Sequence, residues 1–404
     1  MFDDISRQIA RCGHSFIEVI AKCLNKIVVV IVGFIFLILM ANTDSKSNKA
    51  GGEARTTNRS RPGFDTLKKD SNVFDVLAAY KHGIGDVIRK YCQPKRNQQD
   101  ARKWVNDMFI RWYYDANAKG LLKDYYPTKN IVSKEDVTNA YDLKNVTGPD
   151  AKKLDDIMRD LDGLPQKIRN KYPDELSTTC KMCKLVFSDA QIARAKELYI
   201  SDDFDTDIAT LSQLYSVLGG TNNNLSVPKI FEGVELFGSP FNTNNPFCSP
   251  FEIEKKFGSL GSFFNYELVG GVYQANPPFD DQFMDKMADR LLDQLAKERK
   301  DADDVFMFVV IPVWDPETQK EYGFKNYGLK FSCFDKLKLS PYLVGRRVLL
   351  KDEYPYYDYG NSKYIGVTNS HVLLLTNAKN KDGAKCKDML NDYVGKWHKA
   401  TYKQ

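Results

Sequence analysis

The chain has 404 residues, of which 43% are hydrophobic and 12% aromatic, enough apolar side chains to form the cores of two or three domains. This composition excludes an intrinsically disordered chain. The formal net charge of +5 comes from 58 basic and 53 acidic residues, a balance that does not by itself indicate a nucleic-acid partner.

Residues 1–41 combine an amphipathic stripe with an uncharged apolar run. Hydrophobic residues recur every three or four positions between Ile5 and Cys23, as on one face of a helix. The run at 27–41 falls just short of the roughly 17 to 25 residues of a membrane-spanning helix. We predict a membrane anchor; a hydrophobic extension that packs on the protein or on a partner is the alternative. A cleaved signal peptide is disfavoured, because no small-residue cleavage site follows closely.

The orientation of the chain relative to a membrane and its cellular compartment are indicated by less specific features of the sequence. Slightly more basic residues follow the apolar run than precede it, which favours a body on the cytosolic side. We predict an intracellular protein of the nucleus or cytoplasm, with membrane anchoring left open. The sequons at Asn58, Asn145 and Asn224 would be glycosylated only in a lumenal orientation. Residues 42–63 are polar and rich in Gly, Ser and Asn, a composition that predicts a flexible linker.

Residues 64–225 are predicted to form a helical domain. One helix places Trp104, Met108, Phe109 and Trp112 on a single face, a stripe that favours core packing over a base-stacking platform. A later helical segment ends at a Gly-Gly pair, as a helix C-terminus does. The basic run at 89–103 has two interpretations, a phosphate contact or a solvated face.

Eight cysteines are scattered along the chain, which excludes a small disulfide scaffold and favours a reducing compartment. Cys180 and Cys183 have the spacing of a metal or redox pair. Neither a second pair nor a nearby histidine completes a set of four ligands. We therefore predict no metal and interpret both residues as ordinary thiols, with a functional pair as the alternative.

Residues 226–404 show short apolar runs that alternate with helical segments, the pattern of an α/β sheet. The predicted strands lie in VELFGSP, GVYQA, VFMFVVIPVW and SHVLLLTN. The third run is apolar almost without interruption, as a central strand covered on both faces requires. A stripe from Phe283 to Leu295 lies between the second and third runs and predicts a strand, turn, helix, strand unit. Ligands of such sheets bind beyond the carboxyl ends of the strands.

The second predicted strand is followed by Asn276, Pro277, Pro278 and Phe279. Proline cannot donate to a sheet ladder, so the pair marks the end of the strand. An exocyclic adenine amine is a weak nucleophile, because its lone pair is delocalised into the ring. The side-chain carbonyl of Asn276 and the backbone carbonyl of Pro277 can accept its two N–H bonds and aim that lone pair at an electrophilic methyl.

Phe279 can then stack on the base, and the prolines stiffen the loop. The four residues match the Asn/Asp-Pro-Pro-aromatic motif of amino-methyltransferases that use S-adenosylmethionine. A plain proline-rich turn is the alternative interpretation of the same residues.

A wider resemblance involves the segments ELFGSPFN, FGSLGSFF, QANPPFDDQFMDKM, FMFVVIPVW and SHVLLLTN. In order and spacing they resemble the phosphorylated CTD-interacting factor family, over about 230–380. The resemblance implies an enzyme that transfers a methyl group from S-adenosylmethionine to N6 of the 2′-O-methyladenosine next to the 7-methylguanosine cap of mRNA. It implies an α/β fold: a Rossmann-like methyltransferase domain at 226–404, preceded by the helical domain and the hydrophobic N-terminal segment. Asn276, Pro277, Pro278 and Phe279 become the catalytic loop, and the capped 5′ end of mRNA the partner.

The resemblance also indicates residues that bind the cap. By position, Asp281 corresponds to the family's acidic cap residue, and Trp314, Asp315 and Pro316 to its tryptophan-containing loop. A cationic aromatic base such as 7-methylguanine is stabilised by stacking on Trp314 and by a carboxylate at its edge. An ordinary loop aromatic and a helix N-terminal acid are the alternatives for Trp314 and Asp281. No paired tryptophans precede the helical zone, so we predict no WW module and no binding to the polymerase tail.

The methyl donor site carries no G-x-G-x-x-G fingerprint. The turn at 236–242 is the best candidate, and Gly258 with Gly261 the second; ordinary turns are the alternative for both. The predicted donor-binding residues are Phe237, Gly238, Ser239, Pro240, Asn242 and Asn276. Arg346 and Arg347, with Lys351, are predicted to hold the triphosphate bridge or the RNA backbone; a surface basic cluster is the alternative.

Two further functions stay open from the sequence. An N6-adenine methyltransferase of DNA or of internal RNA sites would share residues 276–279 but would not need Trp314. A noncatalytic, membrane-tethered scaffold would bind RNA or the donor without turnover.

Overall fold

The computed structural model describes ten ranges of the chain: 71–91, 98–120, 126–141, 149–179, 185–218, 225–243, 245–297, 304–324, 331–378 and 383–402. The predictions for the N-terminal segment and linker, for Cys180 and Cys183, and for the three sequons lie outside these ranges. None of the helices within them combines the length and the apolar character needed to cross a bilayer.

The first part of the described chain is helical. Asn72 begins the first helix by accepting hydrogen bonds from the backbone N–H groups of Phe74 and Asp75 at 3.0 and 3.1 Å, while Asp75 accepts from the Asn72 backbone at 3.0 Å. This reciprocal cap satisfies donors that a helix start leaves unpaired. The helices are α1 (Val73–Tyr91), α2 (Gln98–Ala118), α3 (Lys134–Tyr141), α4 (Pro149–Asp162), α5 (Leu164–Arg169), α6 (Asp189–Leu198) and α7 (Phe204–Leu218).

These helices share one hydrophobic core. Met108 and Phe109 of α2 are buried in it, and the Phe109 ring meets Tyr80 of α1 edge to face with centroids 5.9 Å apart. The predicted apolar stripe of α2 is therefore core at these two positions. Gly83 permits a close helix crossing, since a Cβ there would lie 2.7 Å from the Leu164 side chain.

The second part contains two sheets. Their strands are β1 (Leu225–Ser226), β2 (Val234–Glu235), β3 (Gly271–Ala275), β4 (Val305–Pro312), β5 (Leu343–Leu349), β6 (Tyr356–Asp358), β7 (Lys363–Ile365) and β8 (Ser370–Thr376). The larger sheet is mixed and has five strands in the order β2-β3-β4-β8-β5. Strands β2, β3 and β4 are parallel, whereas β8 runs antiparallel to both of its neighbours. The separate antiparallel sheet has the order β1-β6-β7.

Helices cover both faces of the large sheet. They are α8 (Asp281–Ala296), α9 (Pro316–Glu321), α10 (Ser332–Lys338) and α11 (Gly383–Tyr402). Helices α8 and α10 pack on the face that contains Val309 and Ile311, and α11 packs on the face that contains Phe308 and Val310. All residues of β4 and β8 are buried, because each strand lies between two covered faces.

The predicted α/β class and the strand, turn, helix, strand unit are confirmed by β3, α8 and β4. Two features were not predicted. The antiparallel direction of β8 could not be predicted from its residues, because a strand buried on both faces is apolar throughout in either direction. The short, partly exposed strands β5, β6 and β7 carry no continuous apolar run.

Candidate active site

The Asn-Pro-Pro-Phe segment lies where β3 ends. The strand stops at Ala275, and the carboxylate of Asp280 begins α8 by accepting a hydrogen bond from the Phe283 backbone N–H at 2.8 Å. The Asp280 N–H donates to the Pro278 carbonyl at 2.9 Å and closes the turn. Both prolines thus occupy positions where neither the sheet nor the helix needs a backbone donor, which explains their presence at this point.

A cavity of about 360 Å³ opens beside this segment. Its walls come from α2, α7, the turn after β2, the 249–251 segment, the turn after β3 and the small antiparallel sheet. The lining residues are Asp107, Ile110, Tyr114, Tyr215, Leu225, Phe237, Gly238, Ser239, Asn242, Ser249, Pro250, Phe251, Asn276, Pro277, Pro278, Phe279, Tyr356 and Val367. The structure therefore brings the predicted catalytic segment and most of the predicted donor turn into one cavity.

Two oxygens of the segment are candidates to accept from a ligand. The side-chain Oδ1 of Asn276 is buried and has no hydrogen-bond partner among the described residues. No backbone N–H group of these residues donates to the Pro277 carbonyl, whereas the Pro278 carbonyl accepts from Asp280. A buried acceptor without a donor costs about 1–3 kcal/mol, so a ligand that supplies an N–H group would remove this cost.

The turn after β2 is held by its own polar groups. The backbone N–H and the hydroxyl of Ser239 both donate to Oδ1 of Asn242, at 2.8 and 2.9 Å. Gly238 donates to the Cys248 carbonyl at 3.1 Å, and a Cβ at Gly238 would lie 2.7 Å from Cβ of Phe247. Phe237 also lines the cavity, whereas Pro240 does not.

The second donor candidate lies elsewhere. Gly258 has φ 86° and ends the short 3₁₀ helix Glu252–Phe257, and Gly261 has φ 87°. Both glycines serve left-handed turns that other residues rarely adopt. Neither lines the cavity beside Asn276.

An aromatic group surrounds Phe279. Its ring meets Trp314 and Tyr356 edge to face, with centroids 6.4 and 6.1 Å away. Trp314 also packs on Phe331 at 5.5 Å and contacts Phe279 without itself lining the cavity. The structure thus places Trp314 next to the Asn-Pro-Pro-Phe segment, where it packs against Phe279.

The other predicted cap residues are dispersed. Asp281 is exposed at the first position of α8, where partial desolvation, and then the negative charges of Asp280, Asp285 and Glu135, raise the pKa of its carboxyl. Pro316 is exposed at the start of α9.

Asp315 is buried and its two carboxylate oxygens are occupied. One accepts from the Thr318 backbone N–H at 2.8 Å and begins α9, and the other lies 2.6 Å from Nε2 of His371. The geometry assigns Asp315 a structural role, because a base at the surface cannot reach a carboxylate engaged in this way.

The two predicted phosphate arginines lie on opposite faces of the sheet. Arg346 and Arg347 are consecutive residues of β5, opposite Leu373 and Val372 of β8. The Arg346 guanidinium lies 5.7 Å from the Phe334 ring centroid, whereas Arg347 donates to the Asn391 side chain of α11 at 3.0 Å. Because the side chains of consecutive strand residues point to opposite faces of a sheet, Arg346 and Arg347 cannot together hold one phosphate group. Neither arginine lines the cavity, nor does Lys351.

The described residues bring little charge to the cavity. Of those that line it, Asp107 of α2 is the one with a charged side chain. Behind the wall, Glu254 is fully buried and accepts a hydrogen bond from the Tyr215 hydroxyl at 2.5 Å. Burial raises the pKa of Glu254 to about 7 and, at the end of β2, that of Glu235 to about 7. The lining excludes a buried phosphate and suits a neutral or cationic ligand.

Several lining residues were missed by the sequence analysis. Tyr114 follows the predicted α2 stripe by two positions, so a wider stripe would have found it. Asp107, Tyr215, Tyr356 and Val367 come from separate elements, and only the tertiary fold places them near Asn276. No group of three or more His, Cys, Asp or Glu side chains in the described ranges is arranged to hold a metal.

The described residues form an α/β sheet with an Asn-Pro-Pro-Phe turn at the end of a parallel strand. Beside the unpaired Oδ1 of Asn276 they form a largely uncharged cavity with one carboxylate, that of Asp107, among the described lining residues. These features match the class of amino-methyltransferases. A family model described as "Phosphorylated CTD interacting factor 1 WW domain" matches residues 201–358. The resemblance to the phosphorylated CTD-interacting factor family that the sequence motifs indicated is thereby confirmed.

Two curated relatives are similar over part of the chain. The mRNA (2'-O-methyladenosine-N(6)-)-methyltransferase of Mus musculus is 29% identical over 151 residues, which are 35% of this chain and 19% of the relative. The protein of the same name from Homo sapiens is 29% identical over 154 residues, 35% of this chain and 20% of the relative. The match thus spans about a fifth of the length of these relatives.

The prediction that the chain has no WW module is wrong. The matching family model carries the WW description and covers residues 201–358, which include β1 to β6 and the Asn-Pro-Pro-Phe segment. The prediction rested on the lack of paired tryptophans ahead of the helical zone, whereas the match begins near the end of that zone. The prediction that the chain does not bind the polymerase tail rested on the missing module, so it is no longer supported.

Proposed function

We propose that this protein is a Rossmann-like methyltransferase that transfers a methyl group from S-adenosylmethionine to N6 of the 2′-O-methyladenosine next to the mRNA cap. The similarity to relatives named for this reaction supports the substrate. The observation that carries the chemistry is the buried, unpaired Oδ1 of Asn276 in the wall of the cavity.

The adenine amine has two N–H groups, and the segment has two candidate acceptors. Oδ1 of Asn276 takes one N–H group and the Pro277 carbonyl takes the other, which turns the nitrogen lone pair towards the donor. The acceptors are fixed before the base arrives, because the turn at Pro278 and the start of α8 hold the segment. Fixed acceptors cost no reorganisation during the reaction.

Phe279 completes the base site. It lines the cavity and is supported at its edges by Trp314 and Tyr356, so its ring presents a fixed surface for stacking. The Tyr356 hydroxyl is itself held at 2.9 Å from the Ser370 hydroxyl. A stacked base is worth about 1–3 kcal/mol. The single-stranded end of a transcript brings an adenine that needs no unpairing before it enters.

The cavity suits a ligand such as S-adenosylmethionine in size and charge. Its volume of about 360 Å³ falls within the range of ligand pockets, about 300–1,000 Å³. Bound S-adenosylmethionine would supply an electrophilic methyl on a positively charged sulfur; on transfer the S–CH3 bond would break, the sulfur would leave as a neutral thioether and the methylated nitrogen would release one proton. Gly238, Ser239 and Asn242 would hold its amino-acid end, and the carboxylate of Asp107 would favour its positive charge over a neutral analogue.

One observation favours a second candidate, an N6-adenine methyltransferase that does not depend on the cap. Asp281, Trp314, Asp315, Pro316, Arg346 and Arg347 all lie outside the cavity lining. The occupied carboxylate of Asp315 and the divergent arginines remove groups that a cap site would use. Dependence of the reaction on the cap therefore decides between the two candidates.

The test is methyl transfer from labelled S-adenosylmethionine by the full chain. Substrates are short RNAs that begin with capped 2′-O-methyladenosine, the same RNAs without a cap, and matched single-stranded DNA. We expect cap-dependent labelling at N6 that falls at least about 100-fold in Asn276→Ala, the loss typical of one missing preorganised group. Asn265→Ala, an exposed asparagine outside the cavity, is the matched control and keeps full activity.

Donor binding separates the remaining outcomes. Asn276→Ala is expected to bind S-adenosylmethionine within about threefold of the wild-type affinity, because the lost oxygen faces the adenine amine. Equal labelling of the capped and the uncapped RNAs supports the second candidate, the methyltransferase that does not depend on the cap. A folded protein that binds the donor and labels no substrate contradicts both and supports the noncatalytic scaffold.

A further inference from the structure

The loop between β7 and β8 supplies one apolar side chain to the cavity. Val367 lines it with 42% of its surface exposed, and it stands in the four-residue connection from Gly366 to Asn369. A single exposed valine on a surface needs no explanation. Here the side chain faces the cavity that contains Asn276 and Phe279, where an incoming nucleoside would cover it.

This loop is fixed at both ends. The Asn369 side chain accepts a hydrogen bond from the Lys351 backbone N–H at 2.9 Å, and its backbone carbonyl accepts from the Val313 N–H at 2.9 Å. A Cβ at Gly366 would lie 3.1 Å from the Lys351 carbonyl, so the loop runs close against its neighbour. Asn369 therefore ties Val367 to the end of β4, one residue before Trp314.

The surrounding wall is apolar. Leu225 of β1 and Tyr356 of β6 line the cavity along with Val367, and Tyr356 contacts Phe279 at 6.1 Å between ring centroids. The Tyr356 hydroxyl is engaged with Ser370. A ribose hydroxyl turned towards Val367 would lose water and gain no partner from its side chain, whereas a methyl ether in its place would bury apolar surface.

Resting on the proposed function, we propose that Val367 is a specificity residue that contacts the 2′-O-methyl group of the target nucleoside and disfavours the unmethylated ribose. An apolar contact of one methyl group commonly changes kcat/KM by a factor of ten or more. We therefore expect the wild-type protein to prefer capped RNA that begins with 2′-O-methyladenosine over capped RNA that begins with adenosine by about tenfold.

The test compares kcat/KM for these two RNAs in Val367→Thr, which keeps the shape of the side chain and replaces one methyl by a hydroxyl. The preference is expected to fall to about threefold or less, with the larger loss on the methylated RNA. Val269→Thr makes the same replacement at an exposed valine outside the cavity and keeps the wild-type ratio. Val367→Ala serves as a second variant should the threonine protein fold poorly.

The ratio is independent of the fraction of folded enzyme, because both RNAs are assayed with one preparation. A wild-type ratio near one, or an equal loss on both RNAs, would overturn the proposal. If the wild-type protein methylates neither RNA, the proposed function fails, and equilibrium binding of 2′-O-methyladenosine and adenosine to the full chain tests Val367 separately. A preference for the methylated nucleoside that is lost in Val367→Thr supports the contact, and equal binding refutes it.

Discussion

Replacement of Arg111 by methionine is expected to destabilise the protein at the junction between the helical part and the Asn-Pro-Pro-Phe segment. The guanidinium of this α2 residue pairs with Asp136 at 2.7 Å, lies 3.4 Å from Asp280 and hydrogen-bonds Gln282. Asp280 and Gln282 stand at the start of α8, directly after Phe279. One side chain thus connects three elements around the segment that is proposed to hold the adenine.

The size of the effect follows from burial. The Arg111 and Asp136 side chains are only 12% and 7% exposed. Removing one partner of a buried ion pair costs about 3–5 kcal/mol, because the other charge stays buried without compensation. Asp136 keeps hydrogen bonds from the backbone N–H and the hydroxyl of Ser133, at 2.9 and 2.8 Å. We therefore expect Arg111→Met to lose about 3 kcal/mol, near the lower end of the range.

Urea unfolding of the full chain measures this loss as a shift of the transition midpoint. Arg159→Met is the matched control, since its pair with Asp156 is exposed, and it should lose less than about 1 kcal/mol. Combining Arg111→Met with Asp136→Asn should recover part of the stability, because the buried charge is gone. The reasoning is refuted if Arg111→Met loses no more than Arg159→Met.

Two further predictions concern buried and cavity carboxyls. Burial raises the pKa of Glu254 from its ordinary 4.5 to about 7. Between these two pH values the unfolded chain has lost this proton while the folded protein still holds it, so the free energy of unfolding falls as pH rises from about 4.5 to about 7. Glu254→Gln retains an acceptor for Tyr215, and its urea midpoint should fall less between pH 5 and pH 7.5; an unchanged pH dependence would contradict the assignment. Asp107→Asn should weaken S-adenosylmethionine binding by about tenfold in calorimetry, the scale of a charged hydrogen bond. The exposed Asp293→Asn should leave it unchanged, and equal affinities for both variants would exclude the role of Asp107.

Local pattern determined much of the α/β half. The length and apolar character of GVYQA and VFMFVVIPVW, the stripe of α8 and the Pro-Pro pair identified β3, α8, β4 and the turn between them. These features are local. A buried strand is marked by a short apolar run, and an amphipathic helix by hydrophobic residues that recur about every 3.6 positions. Proline is disfavoured in the interior of both elements because it lacks a backbone N–H. The same residues carried the family resemblance and the proposed role of Asn276.

Composition and position were poorer guides to the cap residues. Asp315 stands where the family resemblance predicted a cap-binding residue, yet both of its carboxylate oxygens are engaged, one by the start of α9 and the other by His371. Arg346 and Arg347 form a basic pair in the sequence, but consecutive strand residues point to opposite faces of a sheet. A sequence lists charges, and only the fold shows which of them are already paired.

The sequence by itself determined that β3 stops before Asn276, Pro277, Pro278 and Phe279. Proline has no backbone N–H to donate to a sheet, so a pair of prolines is excluded from the interior of a central strand. Tertiary structure alone decided that Asp107, Tyr215 and Val367, which belong to elements far apart along the chain, meet that segment around one cavity. The physical reason is that backbone preferences act over only a few neighbouring residues. The lining of a cavity depends on the long-range packing of helices and sheets, which is determined by many residues together and cannot be read from any one segment.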